Sequence, residues 1–516
     1  MSSPFSNFFG GSTGAVKRRI PATMATQHPD NAWKPYWEKK GDGFVPTSAE
    51  TEECYSAFKD LECEEFMWDW EGKYVDEAVI DRLFHTYFDY FKKHQLGKDK
   101  FLTFRIPNIW HERGYSLARA MMGILTAESF AKDLKFHTPP LFEVILPMTS
   151  KAEDIIYIQD TFMQLAVFKH KLFKDGNNLT YLNVHPLFEG VQNLVGARTL
   201  LDEYVTLHKR RFKKKPDYLR LHIARSDPAL NSSVVAAVIA GKIALSEFDA
   251  FSNHHEIPVY PAIGAGLLPF RGSLSPERVK DFMEEYPGVR TVYVQSAFRY
   301  DFPLSLAQKA IHELNQNLKK TQTRKYGASD KKDAEALIHM FSAPYRKTVE
   351  SVADMVNEIA AQVPSRRERK LHTGLFGYSR GIGKKRLPRA IPFTATLYTL
   401  GIPPEFIGTG RGLDAAVKAG LNVEHFYKNL RQDMALAGSY LNRDNVEILA
   451  RKSNAWKDVK TDIDLIEKHL GISLGPTTRE DNLHKNITTT ALGRYLSDKP
   501  LAEAIIESGK IRRSLG

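Results

Sequence analysis

Between residues 101 and 294 one pattern repeats: a strand-length apolar run, then a stretch that reads as helix. The runs are Phe101–Pro107, Leu141–Met148, Leu179–Leu187, Tyr218–Ala224, Ile257–Ile263 and Arg290–Val294. Several are rich in β-branched or aromatic residues, as strands are. Between them, Leu194, Ala197, Leu201, Tyr204 and Val205 share one helical face. Val234–Leu245 is apolar almost all round and reads as a buried helix. Strand–helix alternation requires parallel pairing with crossover helices, and there are enough units to close a barrel. From about residue 304 onward the pattern turns largely helical. The expected fold is therefore an α/β barrel with a helix-rich C-terminal part.

In a parallel barrel the active site sits at the carboxyl ends of the strands. The residues there are Arg105, Glu189, Asp227, the turn Gly264–Gly266 and Gln295. Glu189 and Asp227 each end a run. Two carboxylates converging there can hold one hard divalent cation. Each also reads as a helix cap, Asp227-Pro228 resembling an N-cap followed by Pro. Gly264 and Gly266 lie in a turn whose backbone can approach an anion, and Arg271 adds a forked donor. A second glycine-rich segment, Gly374–Arg389, carries Arg380 and reads as a mobile loop or a surface linker. Near the N-terminus, His28 sits in Thr26-Gln27-His28-Pro29-Asp30-Asn31, a turn by its Pro and Asx content.

Composition narrows the function. The 72 Lys and Arg against 61 Asp and Glu give a net charge of +11, which suits nucleic acid, an acidic membrane surface or small anions. The runs Lys209–Lys215 and Arg366–Lys370 are scattered and poor in aromatics, so nucleic acid ranks low. No apolar run reaches 18 residues, so no membrane span is expected. Only two cysteines, Cys54 and Cys63, are present. That excludes a disulfide scaffold and suits a reducing cytoplasm. Residues 1–17 read as a loose tail, and 516 residues bury a large core without disulfides.

In order, IPATMATQHPDN, VHPLFEG, ARSDPALNSSVVAA, LLPFRG, YRK, GYSRG, LPRAIPF and the final glycine resemble the archaeal-type phosphoenolpyruvate carboxylases, over residues 18 to 516. The resemblance implies a (β/α)8 barrel of the phosphoenolpyruvate/pyruvate kind with many added helices, acting as one catalytic unit. It implies His28, Arg271 and Arg380 as catalytic residues, and Glu189 and Asp227 as ligands of Mg2+ or Mn2+. Arg105, Arg346, Gly264 and Gly266 would bind substrate. The implied reaction joins phosphoenolpyruvate and bicarbonate to give oxaloacetate and phosphate, in a cytoplasmic homotetramer with no membrane or nucleic-acid partner. One departure stands out: the longer bacterial and plant form has a lysine where this chain has Leu230, so its charge must come from elsewhere, with Arg225 or Lys73 as candidates. The rival reading is another metal-dependent barrel lyase, acting on phosphoenolpyruvate, pyruvate or a 2-oxo acid without bicarbonate.

Overall fold

The computed structural model describes residues 19–516 except 39, 40, 42, 72–74, 112–114, 137, 174–178 and 369–379. Eight parallel strands close into a barrel in chain order. They are β1 (Thr23–Thr26), β2 (Glu65–Asp69), β3 (Phe101–Arg105), β4 (Glu143–Leu146), β5 (Asn183–Phe188), β6 (Leu219–Ala224), β7 (Val259–Gly264) and β8 (Thr291–Val294). Closure is direct: Met24 of β1 registers with Glu65 on one side and Tyr293 on the other.

The six expected strands are all present, with ends shifted by one to four residues where they differ. The run expected from Leu179 pairs only from Asn183, and that from Leu141 only from Glu143. Two strands were not anticipated. β1 runs directly into the segment read as a turn and shares Thr26 with it. β2 carries a charge at each end, Glu65 and Asp69, both buried.

Those charges have partners across the barrel. At the amino ends of the strands, Arg220 of β6 donates to Glu65 of β2 at 2.8 and 2.5 Å and to Glu143 of β4 at 2.9 Å. It also reaches Thr291 of β8 at 3.2 Å. These four come from alternate strands, the way barrel interiors are filled in layers. Tyr218 and Thr103 add hydroxyl donors to the two glutamates. Arg220 is wholly buried, so its charge depends on this compensation. Two residues further along the strands, Met67, Ile145 and Tyr293 pack with Met24, Leu187 and Ala262. There the Tyr293 hydroxyl lies 2.7 Å from His222 Nδ1. Burial and Arg220 push His222 well below its usual pKa, so its ring is neutral.

Helices surround the barrel. Val234–His255 is buried over most of its length, as its all-round apolar pattern requires. Beyond β8 the chain is helical apart from a hairpin, β9 (Arg380–Ile382) with β10 (Lys385–Leu387). The hairpin falls within the segment read as a mobile loop; residues 374–379 of that segment, and the tail 1–17, lie outside the described residues. No helix among the described residues is long and apolar enough to cross a membrane.

Candidate active site

A cleft of about 90 Å³ opens at the carboxyl ends of the strands. Its lining includes His28, Glu71, Arg105, Glu189, Arg225, Asp227, Gly264, Tyr293, Gln295, Arg271 and Arg389. Each strand end places its residue by the same logic: the last strand residue or the next few point over the barrel mouth.

Arg105, the last residue of β3, is held as a fork. Nε and Nη2 meet Asp69 at 2.9 and 2.8 Å, and Nη1 meets Glu71 at 2.8 Å. Burial opposes its charge, but Asp69, Glu71 and Glu189 outweigh burial and hold it firmly protonated. Glu189 follows β5 directly, and its Oε2 accepts the Met148 N–H at 3.0 Å. Asp227 lies in the first turn of the helix Ser226–Ser232, whose N-cap position is Arg225. The N-cap reading of Asp227 is therefore corrected by two positions. It lines the cleft instead.

Arg271 ends a short 3-10 turn, Pro269–Arg271. Its guanidinium is fixed on every side. Nη1 donates to Asp30 at 2.9 Å and to the Gly516 carbonyl at 2.6 Å, Nη2 to Gln295 at 2.6 Å, and Nε to Ser226 at 3.1 Å. Asp30 also accepts the Ala297 N–H at 2.8 Å. Burial pushes the Asp30 carboxyl up, against the pull of Arg271. His28 stands just beyond β1, its Nδ1 2.8 Å from Thr26 Oγ1.

The two glycines differ. A Cβ on Gly264 would stand 2.9 Å from the Tyr293 ring, so this position keeps the cleft floor closed around the tyrosine. Gly266 does not line the cleft. Its N–H donates to the Arg271 carbonyl at 2.8 Å, and a Cβ would come 2.8 Å from the Arg271 guanidinium carbon. Its backbone folds the turn onto Arg271 rather than meeting an anion, which corrects the expectation of substrate contact.

Arg346 is not brought to this cleft. It lies on the helix Ala328–Ala360 and lines a separate groove with Val191, Ser232 and His339. Arg380 opens β9, which packs against the helix Ser226–Ser232; its side chain lies outside the described residues. Leu230 is wholly buried and its carbonyl accepts the Tyr345 hydroxyl at 2.9 Å. Of the two candidates for the missing charge, Lys73 lies outside the described residues and Arg225 lines the cleft. Arg225 Nε donates to Tyr286 at 2.7 Å, while its Nη1 is buried with no hydrogen-bond partner.

Sequence reasoning missed Arg389. It lines the cleft at the N-cap position of the helix Ala390–Thr399, with no ion pair or hydrogen bond from its side chain among the described residues. Its signal was present in LPRAIPF, a cation directly before a helix. The positive end of that helix and the arginine reinforce one another toward an anion.

No group of three metal-binding side chains occurs among the described residues. Two carboxylates in one cleft are nonetheless the donor set that Mg2+ uses when substrate oxygens and water complete its octahedron. Glu189 and Asp227 fit that demand.

A family profile described as phosphoenolpyruvate carboxylase matches residues 20–516. A phosphoenolpyruvate carboxylase of Leuconostoc mesenteroides is 42% identical over 505 residues, covering 97% of this chain and 100% of that one. One from Oenococcus oeni is 40% identical, covering 97% and 99%. One from Metallosphaera sedula is 37% identical, covering 97% and 100%.

Proposed function

This chain belongs to the phosphoenolpyruvate carboxylase family, and we propose how its cleft carries out that carboxylation. The observation that carries the reading is one cleft in which three carboxylates, a histidine and four arginines from seven parts of the chain converge. Both substrates are anions, and a partly enclosed cationic cleft concentrates and orients them.

In this reading Arg105, Arg225 and Arg389 bind the phosphate and carboxylate of phosphoenolpyruvate. Arg105 is pre-set by its two acidic partners, so its fork needs no reorganisation when charge moves. Glu189 and Asp227 hold a divalent cation, Mg2+ or Mn2+, which when bound supplies charge neutralisation for the enolate and phosphate. Bicarbonate oxygen attacks phosphorus, and the bond from phosphorus to the enol oxygen breaks. That gives carboxyphosphate and the pyruvate enolate. His28, oriented through Nδ1 by Thr26, takes the proton of the carboxyphosphate carboxyl as it breaks into CO2 and phosphate. Arg271 holds bicarbonate, then CO2, beside the enolate carbon that attacks it. Tyr293, with its hydroxyl committed to His222, offers the cleft a ring rather than a proton. Keeping acids away matters, because a protonated enolate is lost as pyruvate.

Arg380 is assigned to the transferring phosphoryl group through the resemblance and the packing of β9 on the Asp227 helix. Arg346 has no part in this site. Residues 18–516 act as one catalytic unit in this reading, because the cleft draws on residues from His28 to Ile391. A cytoplasmic homotetramer accompanies it; free, buried Cys54 and Cys63 suit the compartment, and light scattering tests the assembly.

The deciding experiment is an assay of oxaloacetate from phosphoenolpyruvate, with and without bicarbonate and divalent metal. Formation must depend on both; bicarbonate-independent turnover overturns the reading. In His28→Asn, oxaloacetate formation falls by about 10²–10⁴-fold while bicarbonate-dependent phosphate release persists. Unchanged carboxylation in that variant removes His28 from the mechanism.

A further inference from the structure

Arg271 sits on a turn whose own hydrogen bonding is incomplete. Within Pro269–Arg271 the Arg271 N–H is satisfied by the Leu268 carbonyl at 2.8 Å. The Phe270 N–H, one residue earlier, points away from the turn. It donates to Glu405 Oε1 at 2.7 Å. Glu405 is wholly buried, in the short turn Pro404–Phe406, 134 residues further along the chain than Arg271 by number. The Tyr398 hydroxyl donates to the same oxygen at 2.7 Å, and Oε2 is buried with no hydrogen-bond partner. The acceptor therefore serves two donors from two elements, and the catalytic turn hangs from it.

We infer that Glu405 is a positioning residue for the reaction: by accepting the Phe270 N–H, it sets the height and tilt of Arg271 in the cleft. Nothing in the sequence around Pro-Pro-Glu-Phe ties it to the Arg271 turn, which is distant along the chain. The remaining contacts of Arg271 restrain its guanidinium, and Glu405 restrains the backbone that carries it. Losing the acceptor leaves a buried N–H without a partner, so the turn must shift to find one.

Reach rather than charge is what the geometry demands. The groups around Glu405 are mostly neutral or acidic: Tyr398, Tyr345 and Asp433, with the Arg512 guanidinium over the Tyr398 ring. No cation pairs with it directly among the described residues. Burial pushes its carboxyl up to about 7, so a neutral acceptor already serves for part of the physiological range.

The inference rests on the reading that Arg271 faces bicarbonate, and the test separates the two. Steady-state kinetics are measured with bicarbonate varied and phosphoenolpyruvate saturating, for Glu405→Gln, Glu405→Asp and Arg271→Lys. Gln keeps the reach and the acceptor oxygen but not the charge. Asp keeps the charge and draws the acceptor back by one methylene. The expected result is that Glu405→Gln holds kcat/KM for bicarbonate within about threefold. Glu405→Asp loses about 10²-fold, the scale on which a misplacement of about 1 Å acts. The phosphoenolpyruvate KM stays within about twofold in both. Any other pattern between Gln and Asp overturns the inference, including both unchanged, both impaired, or Asp active and Gln not. If Arg271→Lys itself leaves bicarbonate kinetics intact, the role of Arg271 fails and not the placement of Glu405. Exchange of the Phe270 amide with deuterium is the independent readout, protected in Glu405→Gln and exposed in Glu405→Asp.

Discussion

The barrel holds an arginine between two carboxylates at each end, and the two clusters do different work. At the amino ends of the strands, Arg220 binds Glu65 and Glu143 with no exposure at all. At the carboxyl ends, Arg105 binds Asp69 and Glu71 with its side chain 9% exposed, on the wall of the cleft. The chemistry is the same, one guanidinium and two carboxylates. What differs is access. Arg220 is closed in by its layer and can only hold strands together. Arg105 faces a site that also contains Glu189, so its fixed charge acts on whatever enters. Whether a buried ion cluster is structural or functional is decided by which end of the barrel it occupies.

The largest expected effect lies at the open end. Asp227→Asn preserves shape and removes one negative charge from the carboxylate pair. Turnover falls by about 10⁴-fold at any metal concentration below saturation, while thermal unfolding stays near that of the parent. A metal titration of activity checks it, and an unchanged curve would sink the metal assignment.

Exchanging the two arginines for methionine tests the comparison directly. Arg220→Met strands Glu65 and Glu143 in the interior and costs about 3–5 kcal/mol of stability, read from denaturant unfolding. Protein that remains folded keeps its kcat/KM. Arg105→Met differs in the other readout: folded protein loses about 10²–10³-fold in kcat/KM, while stability also falls because Asp69 and Glu71 are left nearly buried without their cation. Equal effects on both measurements at both ends would break the distinction.

The smallest effect concerns pH. Glu405 is pushed from an ordinary 4.5 to about 7 by burial, so the folded state holds its proton where the unfolded chain has lost it. The stability this supplies is complete below about 4.5 and is lost as pH rises towards 7. At about 1.4 kcal/mol per unit it amounts to no more than about 3.5 kcal/mol. Unfolding measured from pH 5 to 8 shows this downward slope in the parent, and Glu405→Gln flattens it.

The barrel was legible in the sequence wherever strands are made of apolar residues. β2 was not, because Glu65 and Asp69 look like surface until their arginines, far away in sequence, are brought opposite. β1 is four residues long and merges into the His28 turn, so no periodicity develops. The site divides in the same way. His28, Arg105, Glu189, Asp227, Gly264 and Arg271 follow strands and meet in the cleft as strand ends must. Arg389 and Glu405 come from the helical half, where no rule links a position along the chain to the barrel mouth. Arg346 shows the limit of a short motif: three residues identify a place in a helix but not the groove that helix faces.

The layer around Arg220 also bears on how the chain reaches its native state. Its members sit at positions 65, 143, 220 and 291, on β2, β4, β6 and β8. A nascent barrel ending after β4 would trap two acids with no counter-charge. One lacking β2 would leave the guanidinium half matched. Partial barrels are therefore penalised at each stage, and the cycle of strands is favoured to close as one cooperative event. Fragments cut between β4 and β5 should not persist alone as ordered halves, but should become ordered when mixed.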